Sequence, residues 1–359
     1  MSSPDFSYET RPVRVVFRAG AARTAPPDEA ARLGLRRLLV VCGSRGESTA
    51  RAVAEALGDS CAGVHTGARM HVPAETADLA VEAARVADAD GIVAVGGGSA
   101  IGLGKAIALR TGLPLLAVPS TYSGSEMTPV WGLTEHGVKR TGRDPVVQPR
   151  SVVYDPELTL SLPVPLTVTS GINALAHAVE ALYAPDTSPL VSLMAEDGVR
   201  ALAEALPALV AEPADLGARG RALYGAWLCG ACLGSTTMGL HHKVCHVLGG
   251  SYGLPHAETH TVVLPYVLAF NAPAAPRAVT ALRRALGAPD VPRALWELAG
   301  RLGAPRSLAE LGLKEDDVRV AADQVAGQPY ANPRPVTADE VRAVLRAAYE
   351  GRPPETAEV

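Results

Sequence analysis

The chain has 359 residues and a formal net charge of -4, so it has no general attraction for nucleic acid or an anionic membrane, and its length suits two domains of roughly 150 to 200 residues. Hydrophobic residues make up 48% and aromatics only 4%, which suits closely packed helices and buried parallel strands. No apolar run is long enough to span a membrane, and the first residues lack the basic and apolar segments of a signal peptide, so a cytoplasmic protein is expected.

In chain order, Arg37-Leu-Leu-Val-Val-Cys-Gly43 reads as a buried strand ending at a glycine turn, and Thr76 to Ala89 carries apolar residues at helical spacing. Gly91-Ile-Val-Ala-Val95 predicts a second strand running into Gly96-Gly-Gly-Ser99, followed by a helix containing Lys105. A third strand is predicted over Leu113 to Ser120. Such alternation argues for a parallel sheet flanked by helices.

Beyond about Asp155 the patterns are helical and rich in Ala and Leu, clearest over Ser188 to Leu206 and Ala218 to Leu233. The expected fold is therefore α/β plus all-α: a Rossmann-like parallel-sheet domain over residues 1–155 and a helical catalytic domain over 156–359, with the site in the cleft between them. Three prolines make Gln328 to Pro335 irregular. Thr337 and Glu340 form a capping box for a last helix, and Gly351 to Val359 reads as a frayed tail.

Five cysteines are too few and odd in number for a disulfide framework. Cys229 and Cys232 have redox or half-zinc spacing, but no second pair completes a cage. They read as small buried residues in a helix rich in Ala and Gly.

A glycine turn between strand and helix lets a ligand approach the backbone, and the helix N-terminus offers N–H groups to an anion. Gly96, Gly97, Gly98 and Ser99 therefore suit a pyrophosphate, although such turns also serve packing. The hydroxyl-rich loop Pro119 to Glu126, with Ser120, Thr121 and Ser125, reads either as a second ligand loop at a strand end or as a helix cap.

Five of the nine histidines fall between His241 and His260. On a helix, His242 and His246 share a face, as do Asn173 and His177, because residues four apart are neighbours. With His256 these side chains make a shared polar site the better reading, whereas His241 is equally well a solvated neighbour.

These motifs resemble the iron-containing alcohol dehydrogenase superfamily over nearly the whole chain. The superfamily has a Gly-Gly-Gly-Ser turn, a Pro-Ser-Thr loop closing on Gly-Ser-Glu, an Asp-x-x-x-His helix and two later histidines. Here they correspond to Gly96 to Ser99, Pro119 to Glu126, Asn173 with His177, and His242 with His256. Two positions depart from the pattern: Asn173 replaces the aspartate ligand, and Gly102 stands where the glycine motif usually carries Asp. Both departures match the maleylacetate reductase branch, as do His241 to His246, Leu254 to His260 and Val138 to Pro145.

The resemblance implies a dehydroquinate synthase-like fold, a homodimer, and NAD(P)H-dependent reduction of the enone 2-maleylacetate to 3-oxoadipate in the breakdown of hydroxyquinol or chlorocatechol. Cofactor contacts are expected from Gly43 and Ser44 and from the two loops at Gly96–Ser99 and Ser120–Ser125. The turn Cys42-Gly-Ser-Arg45 lacks the acid that would accept ribose hydroxyls, so NADH and NADPH both remain open.

A neutral Asn173 weakens a metal site formed with His177, His242 and His256, so a metal is not expected to be required, although three imidazoles can still hold zinc. His246 is expected to handle the proton or the enolate, Lys243 to supply a cation or face solvent, and His177, His242 and His256 to bind substrate oxygens. Arg334, Arg140 and Arg143 are candidates for the two carboxylates, each equally readable as a surface charge. The competing readings are a metal-dependent alcohol dehydrogenase, a reductase of another unsaturated or keto acid, and a dehydroquinate synthase-like lyase.

Overall fold

The computed structural model describes residues 6–9, 12–135, 138–327 and 329–355, with the side chains of Val138 and Lys139 outside that description. Among the described residues the chain divides into two compact units, one over residues 12–162 and the other over residues 163–355 together with residues 6–9.

The first unit is built on a six-stranded sheet in which every pairing is parallel, in the order β1-β8-β5-β4-β2-β3. Its strands are β1 (Arg14–Phe17), β2 (Leu38–Val41), β3 (Cys61–His65), β4 (Gly91–Gly96), β5 (Leu115–Pro119) and β8 (Ser151–Tyr154). A separate antiparallel hairpin pairs β6 (Val130–Glu135) with β7 (Val138–Arg143). Strands β2, β4, β5 and β8 are buried at every residue; β2, β4 and β5 accordingly read as unbroken apolar runs, whereas β8, which opens on Ser151, is not among the strands the sequence predicts. The edge strands β1 and β3 are only partly buried, and neither stands out in the sequence.

The crossover helices are α1 (Ala25–Arg32), α2 (Glu47–Leu57), α3 (Ala74–Val86) and α4 (Gly98–Thr111). Helix α4 lies close on the sheet because Gly104 has no side chain: a Cβ there would sit 2.8 Å from Leu115 Cδ1 and 2.9 Å from Ala94 Cβ. Asp155 is tied into this unit, its carboxylate accepting from Gly20 N at 3.0 Å and Ala22 N at 2.9 Å. The change of unit therefore comes after Asp155-Pro156, at the entry to the first long helix.

The second unit is helical: α5 (Val164–Leu182), α6 (Pro189–Ala211), α7 (Leu216–Ser235), α8 (Leu240–Tyr252), α9 (His256–Asn271), α10 (Pro276–Leu286), α11 (Val291–Arg301), α12 (Asp317–Ala326) and α13 (Ala338–Glu350). Helix α5 is buried continuously from Thr167 to Leu182, its polar residues Asn173, His177 and Glu180 included. Close packing around it uses small residues. A Cβ on Gly171 would meet Leu206 at 2.6 Å, and one on Gly198 would meet the Cys229 sulfur at 2.9 Å. All five cysteines are free, and Cys229 and Cys232 are buried, in keeping with their reading as small core residues.

The capping box of α13 forms as the sequence indicates, with Thr337 and Glu340 satisfying each other's backbone amides. The tail reading needs correction at its start. Gly351 is the left-handed C-cap of α13, and Tyr266 OH donates to Arg352 O at 2.8 Å, so the chain is held through Arg352; residues 356–359 lie outside the described residues. No helix among the described residues is long and apolar enough to cross a membrane.

Candidate active site

In the first unit, the sequence-predicted cofactor residues gather at the C-terminal ends of neighbouring strands, where ligands bind in open parallel sheets. Gly96 ends β4 with φ +135, a conformation that only glycine adopts at low cost. Its carbonyl accepts from Ser120 N at 3.1 Å, which joins the turn after β4 to the loop after β5. The two loops close tightly, since a Cβ on Gly97 would lie 2.9 Å from Thr121 Cγ2.

Helix α4 begins here. The first bonds onto Gly97 O come from Ala100 N at 3.0 Å and Ile101 N at 3.1 Å, which places the Gly98 and Ser99 amides ahead of them at the positive end of the helix. Gly43 follows β2, and a Cβ there would stand 3.2 Å from Ala68 O. Ser44 and Arg45 follow it, exposed, in a short 3-10 turn. The arrangement can cradle a pyrophosphate by backbone N–H groups.

Sequence reasoning did not assign Lys105 to this site. Its Nζ is fully buried and donates to Ser125 O at 2.6 Å, Val130 O at 2.7 Å, Thr128 O at 2.8 Å and Thr128 Oγ1 at 2.9 Å. One side chain thus fixes the loop that carries Ser125. Burial pushes its ammonium down to about 7, opposed by the Glu126 carboxylate. Glu126 is itself buried, accepts from Tyr154 OH at 2.9 Å, and has its pKa raised by desolvation. The signal was legible: Lys105 is a lone charge on the otherwise apolar, buried stretch of α4 from Ala100 to Ala108. At Gly102, a Cβ would meet Val72 Cγ2 at 2.8 Å, so an apolar side chain covers the position where the superfamily carries Asp.

In the second unit, α5, α8 and α9 bring the histidines together. Asn173, His177 and Glu180 lie along one stripe of α5, since residues three and four apart share a helix face. The rings of His177 and His242 stack at 5.3 Å between centroids, His242 and His260 lie 5.0 Å apart, and His256 and His260 lie 4.4 Å apart. His242 and His246 do share a face of α8, with ring centroids 6.2 Å apart. His242 is buried, whereas His246 and His256 are exposed.

Several buried atoms in this cluster have no hydrogen-bond partner: Asn173 Oδ1, His177 Nδ1, His242 Nε2 and His260 Nε2. Unpaired polar atoms are costly in an interior and rare in structural cores, so their gathering here makes this cluster the candidate ligand site. Burial, reinforced by neighbouring imidazoles, holds the pKa values of His177, His241 and His260 well below the ordinary histidine value.

Two residues correct the sequence reading. His241 is not a solvated neighbour. It is wholly buried, with Nε2 2.8 Å from His260 Nδ1, because the start of α8 is packed beneath α9. The second correction is Glu180, which sequence reasoning passed over. Its buried carboxylate lies 2.6 Å from His242 Nδ1 and accepts from His241 N at 2.8 Å, Gly239 N at 3.1 Å and His242 N at 3.3 Å.

The remaining candidates are placed as follows. Lys243 is half-buried on α8, and burial lowers its pKa. Arg334 lines a cavity of about 480 Å³ with Tyr330 and Asn332. Its guanidinium is engaged by Glu340 at 2.9 Å and stacks 4.2 Å from the Phe270 ring centroid. Arg140 and Arg143 are exposed on β7, and Arg140 pairs with Glu135 at 3.3 Å.

The superfamily's metal ligands would fall on Asn173, His177, His242 and His256, a set with no carboxylate. Among the described residues, the group of three His, Cys, Asp or Glu side chains whose ligand atoms all lie within 4.8 Å of one another is His241, Cys245 and His260. There the imidazoles already bond each other, and burial keeps the Cys245 thiol protonated by raising its pKa. Asn173 Oδ1, His177 Nδ1 and His242 Nε2 are buried and unpaired, so with His256 they are the residues that would hold a divalent cation, with a neutral amide oxygen where the superfamily pattern has a carboxylate.

Two family models match the chain: iron-containing alcohol dehydrogenase over residues 12–156, and Fe-containing alcohol dehydrogenase family, C-terminal, over residues 167–349. The chain is 51% identical over 352 residues to maleylacetate reductase of Sphingobium indicum, covering 98% of this chain and 99% of that protein. It is similar to the crystal structure of maleylacetate reductase from Agrobacterium tumefaciens at 50% identity and a TM-score of 0.94, covering 98% of this chain and 100% of the other. It is also similar to sulfoacetaldehyde reductase from Bifidobacterium kashiwanohense in complex with NAD+, at 25% identity, a TM-score of 0.88, and 96% and 99% coverage.

Proposed function

The chain belongs to the iron-containing alcohol dehydrogenase family, and from that premise we propose that it reduces the carbon-carbon double bond of 2-maleylacetate with NAD(P)H, giving 3-oxoadipate. When bound, the nicotinamide would supply a hydride to the alkene carbon β to the ketone, with the displaced π electrons taken up on the ketone oxygen. The resulting enolate takes a proton on the carbon α to the ketone. Hydrogen-bond donors aimed at that oxygen lower the barrier.

The observation that carries this reading is Asn173. A neutral amide stands where the superfamily carries its aspartate ligand, at the head of a stripe of buried, unpaired imidazole nitrogens, so the site offers less charge to a cation, and its amide N–H and protonated ring nitrogens can serve substrate oxygens. In our reading His177, His242 and His256 hold the substrate, His246 handles the proton at the enolate, and Lys243 supplies positive charge. Arg334, Arg140 or Arg143 would face the carboxylates, Arg334 by exchanging its Glu340 partner for one of them.

The glycine turn and the hydroxyl loop would hold the cofactor's pyrophosphate, with Gly43 and Ser44 beside the adenosine ribose. Neither NADH nor NADPH is disfavoured by an acid at that turn. We further propose that turnover needs no metal, that the protein is cytoplasmic, in keeping with its five free cysteines, and that it works as a homodimer.

The deciding assay adds freshly prepared maleylacetate to the enzyme and NAD(P)H and follows cofactor oxidation. Faster turnover of a neutral aldehyde would overturn the substrate assignment. The family's metal-dependent alcohol dehydrogenase chemistry is the second reading. One iron or zinc held tightly per chain, with activity lost on chelation, would establish it instead.

A further inference from the structure

Asn173 leaves the site without the carboxylate of the metal-binding pattern, yet a carboxylate is present two turns further along the same face of α5. Glu180 Oε2 accepts from His242 Nδ1 at 2.6 Å, and its two oxygens together accept the Gly239, His241 and His242 amides. The approach requires Gly239: a Cβ there would lie 3.1 Å from Glu180 Oε1 and 2.7 Å from Ala331 O.

We propose that Glu180 is the positioning residue of this active site. It fixes the tautomer and ring orientation of His242 so that Nδ1 carries the proton facing Glu180 and Nε2 is the nitrogen presented to substrate, an acceptor in the neutral ring and a donor to a substrate oxygen once the ring carries a second proton opposite the Glu180 carboxylate. A carboxylate receiving three backbone N–H groups from the first turn of α8 cannot turn away without uncapping that helix, and it has only acceptor capacity to offer Nδ1. Nδ1 must therefore donate. The opposite nitrogen, Nε2, is buried and has no hydrogen-bond partner.

The chemical consequence follows from the ring's shape. With Nδ1 anchored, rotation about χ2 is blocked, and the same nitrogen faces the substrate in every turnover. Ligand-orienting partners of this kind change activity by about 10- to 100-fold when removed. The assignment rests on the reductase reading for its kinetic arm alone.

The test has two arms. In the unaltered protein with 15N-labelled histidine, the His242 spectrum should show a proton-bearing Nδ1 and an unprotonated-type Nε2. Glu180→Gln should give a mixed tautomer, a kcat lower by about 10- to 100-fold and a KM for NAD(P)H within about twofold. Glu180→Asp, which restores the charge, should recover part of the lost kcat. A bare Nδ1 in the unaltered protein, or a native kcat in Glu180→Gln, would overturn the proposal. If Glu180→Gln fails to fold, or the unaltered enzyme does not turn over maleylacetate, the tautomer of unaltered His242 decides alone.

Discussion

His241 Nε2 and His260 Nδ1 lie 2.8 Å apart, with both rings completely buried. One nitrogen must donate and the other accept, so the pair is satisfied only while it carries a single shared proton. Desolvation, then neighbouring imidazoles, keeps both pKa values well below the ordinary 6.5, and His177 behaves alike. The folded state therefore resists protonation that the unfolded chain accepts. Stability should be flat above about pH 6.5 and should fall as pH drops below it, by about 1.4 kcal/mol per pH unit for each such site. Thermal melts from pH 8 to pH 5 check this, and an unchanged Tm at pH 5 would contradict it.

Gly97 and Thr121 test the cofactor cradle. Gly97 has φ −84 and ψ −164, which alanine adopts freely, so Gly97→Ala adds only a methyl group 2.9 Å from Thr121 Cγ2. The NAD(P)H dissociation constant should rise by roughly tenfold as the loops are pushed apart, a loss of about 1.4 kcal/mol. Thr121→Ser in the same chain should recover part of it. Fluorescence titration of bound NAD(P)H reads both values.

Replacing Asn173 with aspartate returns a charged ligand to the stripe containing His177. Zinc retained after dialysis, measured by elemental analysis, should increase by roughly tenfold or more over the unaltered chain, since an anionic carboxylate oxygen binds the cation more strongly than a neutral amide oxygen. Equal metal content in the two proteins would count against the neutral-cradle reading.

Lys105 and Glu126 are both buried at the root of the hydroxyl loop. Lys105→Met should lower stability by about 3–5 kcal/mol, because it strands a buried carboxylate and three carbonyl oxygens. Adding Glu126→Gln should restore a measurable share by removing the uncompensated charge. Denaturant midpoints of the two singles and the double give the coupling, and strictly additive losses would show that the two charges act independently.

Arg45 is exposed on the turn after β2, with no acid among Gly43, Ser44 and Gly46. If the 2'-phosphate of NADPH lies at this turn, Arg45→Glu should reduce kcat/KM with NADPH by about tenfold or more while leaving NADH nearly unchanged. An equal loss with both cofactors would place the phosphate elsewhere.

The residues that announced themselves in the sequence did so through local pattern. Strands β2, β4 and β5 are buried on both faces and appear as unbroken apolar runs, and Thr337 with Glu340 spells out a cap within four residues. The four-residue spacings of Asn173 with His177 and of His242 with His246 put each pair on one helix face, a consequence of helix geometry alone. Edge strands β1 and β3 escaped because half-buried residues carry no continuous apolar signature.

What the sequence by itself determined was the alternation of β2, β4 and β5 with helices, the helical character of the later half, the glycine turn, and which side chains could share a helix face, because each depends on neighbours a few residues apart. Only the tertiary structure decided that His241 is buried against His260, that Lys105 anchors the loop at Ser125, and that Glu180 reaches His242 across an intervening run of two long helices. Those partners meet through packing between elements distant in the chain, and no local periodicity records which faces will touch.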